Sequence, residues 1–132
     1  MSGRQILVAE DNLAAQDLLK FNLERAGLVV TTASTGTEAL QAATNQQFDC
    51  IVTDFQMPGM DGETLSRNIR ESGPNQTTPI VLCSAKGFEI DKDKLRQECG
   101  ISEFLNKPFS PRLAVELVCM LVDQHAAVTA TG

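Results

Sequence analysis

Five short runs of apolar and β-branched residues alternate along the chain with five stretches whose apolar residues recur at helical spacing. The runs fall at residues 6–9, 28–33, 50–54, 79–84 and 102–105. Each is short, nearly continuous and bounded by turn residues, as a strand covered on both faces requires. The third cannot run past Met57, because Pro58 has no amide proton to give to a ladder. Pro58-Gly59 and Asp61-Gly62 then turn the chain.

The intervening stretches carry helix signals of their own. Asp11 or Asn12 caps the first, in which Ala15, Leu18, Leu19, Leu23 and Ala26 recur before Gly27 ends it. Thr35-x-x-Glu38 is a capping box ahead of Ala39, Leu40, Ala42 and Ala43, and predicts a helix to about Asn45. The third opens at Asp61 or Gly62, turns Leu65 and Ile69 inward, and stops at Gly73-Pro74. A short, highly charged fourth covers residues 90–99 before Gly100. Ser110-Pro111, a cap followed by proline at the first helical position, starts the fifth, expected to end near His125. Residues 1–125 then form one domain, and 126–132 a frayed tail or the start of a linker.

Strand and helix alternating five times predict an α/β fold, a parallel sheet with right-handed crossovers and helices on both faces. Five such units match the flavodoxin-like doubly wound order 2-1-3-4-5 with five helices; the order is matched to that fold type, not obtained from the pattern.

Composition narrows the function. The net charge of −6 argues against a nucleic-acid surface, which leans on Lys and Arg. The four cysteines include no C-x-x-C pair and His125 is the only histidine, so a zinc site is not expected. Cys50 and Cys83 fall in buried strands as reduced, apolar residues, which points to a reducing, cytoplasmic setting. No apolar signal region opens the sequence and no segment is suited to a membrane.

At the ends of the predicted strands stand Glu10-Asp11, Asp54, Ser84 and Lys107. In an open α/β sheet that edge is where ligands bind. Three carboxylates converging there repel one another unless a cation intervenes. Oxygen donors without His or Cys favour Mg²⁺, or Mn²⁺, over zinc. Lys107 and Ser84 facing the same spot supply the other half of a phosphate clamp. Asp54, central among the strands, is the candidate acceptor, since carboxylates do act as phosphoryl nucleophiles.

On these residues the sequence resembles the response-regulator receiver domains of two-component signalling, over about residues 5–124. The marks are Glu10-Asp11, the segment Asp54-Phe-Gln-Met-Pro-Gly-Met-Asp-Gly62, Ser84-Ala85 and Lys107-Pro108. The resemblance implies that Asp54 takes a phosphoryl group from a histidine kinase or a histidine phosphotransfer protein. It implies that Glu10, Asp11, Asp54 and the backbone carbonyl of Gln56 hold Mg²⁺. Lys107 would pair with the phosphoryl oxygens, Ser84 would donate a hydrogen bond to them, and Phe104 would be the switch aromatic. Lys107-Pro108 would be a cis peptide. Such a domain is a signalling element that catalyses only its own phosphorylation and slow dephosphorylation. The sequence departs from the commonest pattern in having Glu10 for Asp, Ser84 for Thr, and Phe104 without a hydroxyl. Around residues 8–12 and 56–62 it resembles receivers attached to hybrid histidine kinases, so a free-standing regulator and a part of a larger protein both stay open.

Two other chemistries fit less well. A flavodoxin-type carrier needs a Ser/Thr/Gly-rich phosphate loop after the first strand, where Glu10-Asp11-Asn12 would repel phosphate. A haloacid-dehalogenase-type phosphohydrolase carries a second Asp two residues after its nucleophile, and Gln56 stands there instead. The fifth helix adds an expectation about partners. Between Leu113 and Val122 only Glu116 is polar. Ala114, Leu117, Val118 and Leu121 fill one core-facing stripe. Val115, Cys119 and Val122 share a neighbouring flank, which is either partly covered by the first helix or a contact site for a homodimer or an output partner.

Overall fold

The structure, a computed structural model, describes residues 3–85 and 90–131, with side chains as far as Ala127. The elements alternate as β1 (Gln5–Ala9), α1 (Leu13–Arg25), β2 (Val29–Ala33), α2 (Gly36–Asn45), β3 (Cys50–Asp54), α3 (Gly62–Glu71), β4 (Ile80–Ala85), α4 (Lys92–Cys99), β5 (Glu103–Lys107) and α5 (Pro111–Thr131). All strand pairs are parallel, in the order β2-β1-β3-β4-β5. The predicted fold class and strand order are therefore those observed.

Alternate residues of each strand feed two separate cores, as the two-residue period of a pleated strand dictates. Leu7, Ile51, Ile80 and Leu82 point to the side covered by α2, α3 and α4, where they meet Leu65, Ile69 and Leu95. Ile6, Val8, Val52 and Val81 point to the side covered by α1 and α5, where they meet Leu19, Leu23 and Val118. Every residue of β3 is buried, so a charge at its end is set at the margin of a dry core.

The helix starts follow the local chemistry. Asn12, Thr35, Asp61 and Asp91 each accept a hydrogen bond from the amide three residues on. Ser110 does the same for Leu113 ahead of Pro111. Gly100 ends α4 with φ of 64°, a left-handed turn that a side chain would strain. Gly62 is needed for a different reason. It lies against the carbonyl of Asp54 and the Leu82 side chain, and a Cβ would collide with both. The close approach seats the first turn of α3 on the end of β3.

Several boundaries differ from expectation. Helix α4 begins at Lys92, because the Asp91 side chain caps it and leaves Ile90 outside. Strand β5 runs two residues past Leu105, pairing Ala85 with Lys107. Helix α5 continues to Thr131 instead of ending near His125, with good helix formers such as Ala126 and Ala127 in its last turns. Leu18 is half exposed, and Gln16 takes the inward position on α1 together with Leu19 and Leu23.

The contact site expected on the α5 flank is corrected at Val122, where the covered reading holds. Ala114, Val118 and Leu121 are buried as predicted, but so is Val122, at 2% exposure, while Val115 and Cys119 are half-buried against the same core. Helix α1 packs beside α5 and covers this side. Among the described residues of α5, the large apolar side chains left exposed are Leu113 and Met120.

Candidate functional site

Parallel strands bring their carboxyl ends to one edge, and the register decides which side chains meet there. Glu10 follows β1, Asp54 ends β3, Ser84 lies one residue before the end of β4, and Lys107 ends β5. The lysine reaches inward across β4. Its Nζ lies 2.6 Å from Glu10 Oε1 and 2.8 Å from Asp54 Oδ2. Glu10 also accepts the Asn12 amide at 3.0 Å. Carboxylate oxygens of Glu10, Asp11 and Asp54 lie within 4.8 Å of one another. Asp11 is exposed, whereas Glu10 and Asp54 are buried.

Three carboxylates share one ammonium, and the imbalance falls on Asp54. Burial, reinforced by the neighbouring Glu10, pushes the Asp54 carboxyl up to about 8. Lys107 pulls the other way and does not outweigh them. For Glu10 burial also raises, but hydrogen bonds with Asp54, Lys107 and the Asn12 amide prevail and hold it below its ordinary range. Lys107 has its ammonium form favoured: burial works against the charge, and its two carboxylate partners overcome it. The donor set is oxygen only, anionic and open on the Asp11 side, which fits a hard divalent cation.

The other expected residues sit around this cluster. Ser84 is buried at 5% exposure, opposite Asn106 in the β4–β5 register. Gln56 is exposed in the loop two residues beyond Asp54. Lys107-Pro108 is cis. Phe104 is half-buried and faces α4, with Arg96 Cζ 5.0 Å and Lys92 Nζ 5.6 Å from its ring centre. A cavity of about 440 Å³ opens beside Asp54 and Lys107, walled by Leu18 and Leu19 of α1 and by Phe109 and Pro111.

The response regulator receiver domain model matches residues 6–118. The chain belongs to that family. Among curated relatives, the receiver is 40% identical over 110 residues to the alkaline phosphatase synthesis transcriptional regulatory protein PhoP of Bacillus subtilis, covering 83% of this chain and 45% of that one. It is 34% identical over 127 residues to the transcriptional regulatory protein SrrA of Staphylococcus aureus, covering 96% and 51%. The chain thus spans about half the length of these relatives. Among solved structures, chemotaxis protein CheY4 of Vibrio cholerae superposes with a TM-score of 0.82 at 27% identity, covering 90% of this chain and 98% of that one. The receiver domain of a sensor histidine kinase of Pseudomonas aeruginosa PAO1, which holds a magnesium ion in its active-site cleft, gives 0.82 at 28% identity, covering 92% and 98%. The family works in two-component phosphorelay signalling.

Sequence reasoning left out two supports of the receiver's acidic edge. Gln16, buried in α1, reaches back to the backbone around Glu10. Gly36, at the start of α2, lies against Met60 so closely that a Cβ would collide with its backbone. A polar residue at a core-facing helical position was the available signal for Gln16. Gly36 offered none, because the approach joins distant segments.

Proposed function

We propose that this receiver takes a phosphoryl group on Asp54 from a phosphohistidine, in a Mg²⁺-dependent reaction, and passes the change to the surface formed by α4, β5 and α5. The observation that carries the reading is Lys107 bridging Glu10 and Asp54 at the end of the central strand. The donor is a histidine kinase or a histidine phosphotransfer protein. Its N–P bond breaks as an Asp54 carboxylate oxygen forms the new O–P bond, and the imidazole leaves with the electron pair. Glu10, Asp11, Asp54 and the Gln56 carbonyl would hold Mg²⁺, or Mn²⁺, which would supply positive charge against the carboxylates and the phosphoryl oxygens.

The chain's own residues do the rest. Asp54 with its carboxyl near 8 is mostly protonated at neutral pH, and a protonated carboxyl is a poor nucleophile. A cation held by these carboxylates would favour the carboxylate form of Asp54, which would tie acceptance to the metal. Lys107 then exchanges an Asp54 oxygen for a phosphoryl oxygen as a point charge. Ser84 donates its hydroxyl proton to the phosphoryl group, and Phe104 moves in response. Gln56 offers no carboxylate for rapid hydrolysis, so the domain's chemistry is limited to gaining its phosphoryl group and losing it slowly. The output contact, with a second copy or a partner domain, uses the α4–β5–α5 surface. Residues 1–125 serve as the phosphoacceptor unit, and α5 runs on from it to Thr131. No helix among the described residues is long and apolar enough to cross a membrane. The domain works in the cytoplasm, where buried thiols such as Cys50 and Cys83 stay reduced.

Incubation with acetyl phosphate and Mg²⁺, followed by peptide mass spectrometry, tests this. One phosphoryl group should appear on the peptide containing Asp54, and none on Asp54→Asn. A variant that still gains the label would exclude Asp54 as the acceptor.

A further inference from the structure

Gln16 is a buried amide that contributes nothing to the hydrophobic face it interrupts. Its Nε2 lies 2.9 Å from the Glu10 carbonyl, 3.2 Å from the Ala33 carbonyl and 3.3 Å from Ser34 Oγ. Two carbonyls can only accept, so the amide must present its nitrogen to them. Those two carbonyls mark where β1 and β2 end, and Ser34 starts the turn toward α2. The Ala33 carbonyl already accepts the Glu10 amide at 3.0 Å. Gln16 therefore closes a ring of hydrogen bonds joining the first turns of α1, the Glu10-Asp11 turn and the adjoining strand end.

That turn carries two of the three carboxylates of the acidic cluster. It is also held by the Asn12 cap on α1, by the Asn12 amide and the Lys107 ammonium on the Glu10 carboxylate, and by the Glu10 amide on the Ala33 carbonyl. Without Gln16, the Glu10 carbonyl would lose its donor in a buried setting, and the turn would shift to find another. Any such shift moves Glu10 and Asp11 relative to Asp54, which is anchored separately by β3 and by the seat of Gly62.

We propose that Gln16 is a positioning residue for the divalent-cation site: it holds the Glu10-Asp11 turn at the spacing from Asp54 that the ion needs, without touching the ion. The inference rests on the Mg²⁺-dependent reading above and deepens it. Groups that orient metal ligands from behind change metal affinity by about 10- to 100-fold when removed.

The test is calorimetric Mg²⁺ titration of wild type, Gln16→Met and Thr78→Val. Methionine keeps the length and removes the donors. Thr78, buried at the opposite edge of the sheet, bonds the Phe48 carbonyl and the Asn75 side chain, so its valine variant reports general destabilisation. Gln16→Met should bind Mg²⁺ about tenfold more weakly, with the Mg²⁺ concentration for half-maximal acetyl phosphate labelling raised in step and the saturated rate kept. Thr78→Val should lower the melting temperature and leave Mg²⁺ affinity alone. Equal affinity in Gln16→Met and wild type would overturn the proposal, as would an equal loss in Thr78→Val. No binding by wild type would overturn the Mg²⁺ reading itself, and this inference with it. Should Gln16→Met not fold, the wild-type protein answers by NMR. The Gln16 side-chain amide signals should then shift with the same half-saturation as the Asp11 backbone amide; signals that ignore Mg²⁺ contradict the role.

Discussion

The two edges of the sheet solve the problem of polar groups in opposite ways. At the carboxyl edge, charges are gathered and left out of balance: Glu10, Asp11 and Asp54 face one Lys107. At the amino edge the polar groups are satisfied by well-placed partners. Asn75, at 1% exposure, accepts from the Phe48 amide at 2.7 Å and donates to the Ala43 and Gln46 carbonyls at 2.6 and 2.8 Å. Thr78 donates to the Phe48 carbonyl beside it, and Arg70 ties the Cys99, Gly100 and Asn75 carbonyls together. One edge stabilises the fold; the other gives up stability to keep a site open for a ligand. Both hang from the same strands, so the contrast lies in the residues at the strand ends and not in the backbone.

The contrast makes ordered demands. Asn75→Ala should cost the most, about 1–3 kcal/mol in chemical denaturation, because it leaves the Phe48 amide buried without its acceptor. At a temperature where that variant stays folded, labelling of Asp54 should be unchanged. Impaired labelling in the folded variant would mean the two edges are not separable.

A smaller effect is expected from pH in metal-free protein. The folded state raises Asp54 from its ordinary 3.8 to about 8, so between those values it holds a proton that the unfolded chain releases. Stability from this group is therefore full below about pH 4 and is lost as pH rises toward 8. Glu10, held low in the fold, acts only in the acid limb. Melting temperature should fall between pH 5 and 8, and both Mg²⁺ and Asp54→Asn should flatten the slope. Asp11→Asn should remove most of the Mg²⁺ response. A flat wild-type profile would deny that the acceptor edge is out of balance.

The smallest effect belongs to Phe104. Arg96→Met takes away one of the two cations over its ring, worth roughly 0.5–1 kcal/mol at such a site. Denaturant midpoints should move by no more than that, while the Phe104 ring resonances change clearly. Ring signals that stay in place would remove Arg96 from the account of how β5 meets α4.

What could be read from the sequence divides along physical lines. The alternation of runs, the caps at Thr35 and Ser110, and the stop at Gly100 are local, and the elements form where those signals lie. Because parallel strands end at a common edge, placing Glu10, Asp54 and Lys107 at strand ends was enough to bring them together. Periodicity failed on α5. It separates a stripe from a flank, but cannot decide whether that flank is covered by α1 or open, and Val122 is buried. Asn75 was invisible for a related reason. A single buried amide has no period, and its partners lie up to 32 residues away, as the Asn75 bond to Ala43 shows.

The most direct measurement is a carbon-13 NMR titration of the Asp54 carboxyl, selectively labelled, with and without Mg²⁺. The account predicts a metal-free midpoint near 8 and a clear downward move when Mg²⁺ is added. A metal-free midpoint in the ordinary range of an exposed aspartate, about 4, or one that Mg²⁺ leaves in place, would contradict it.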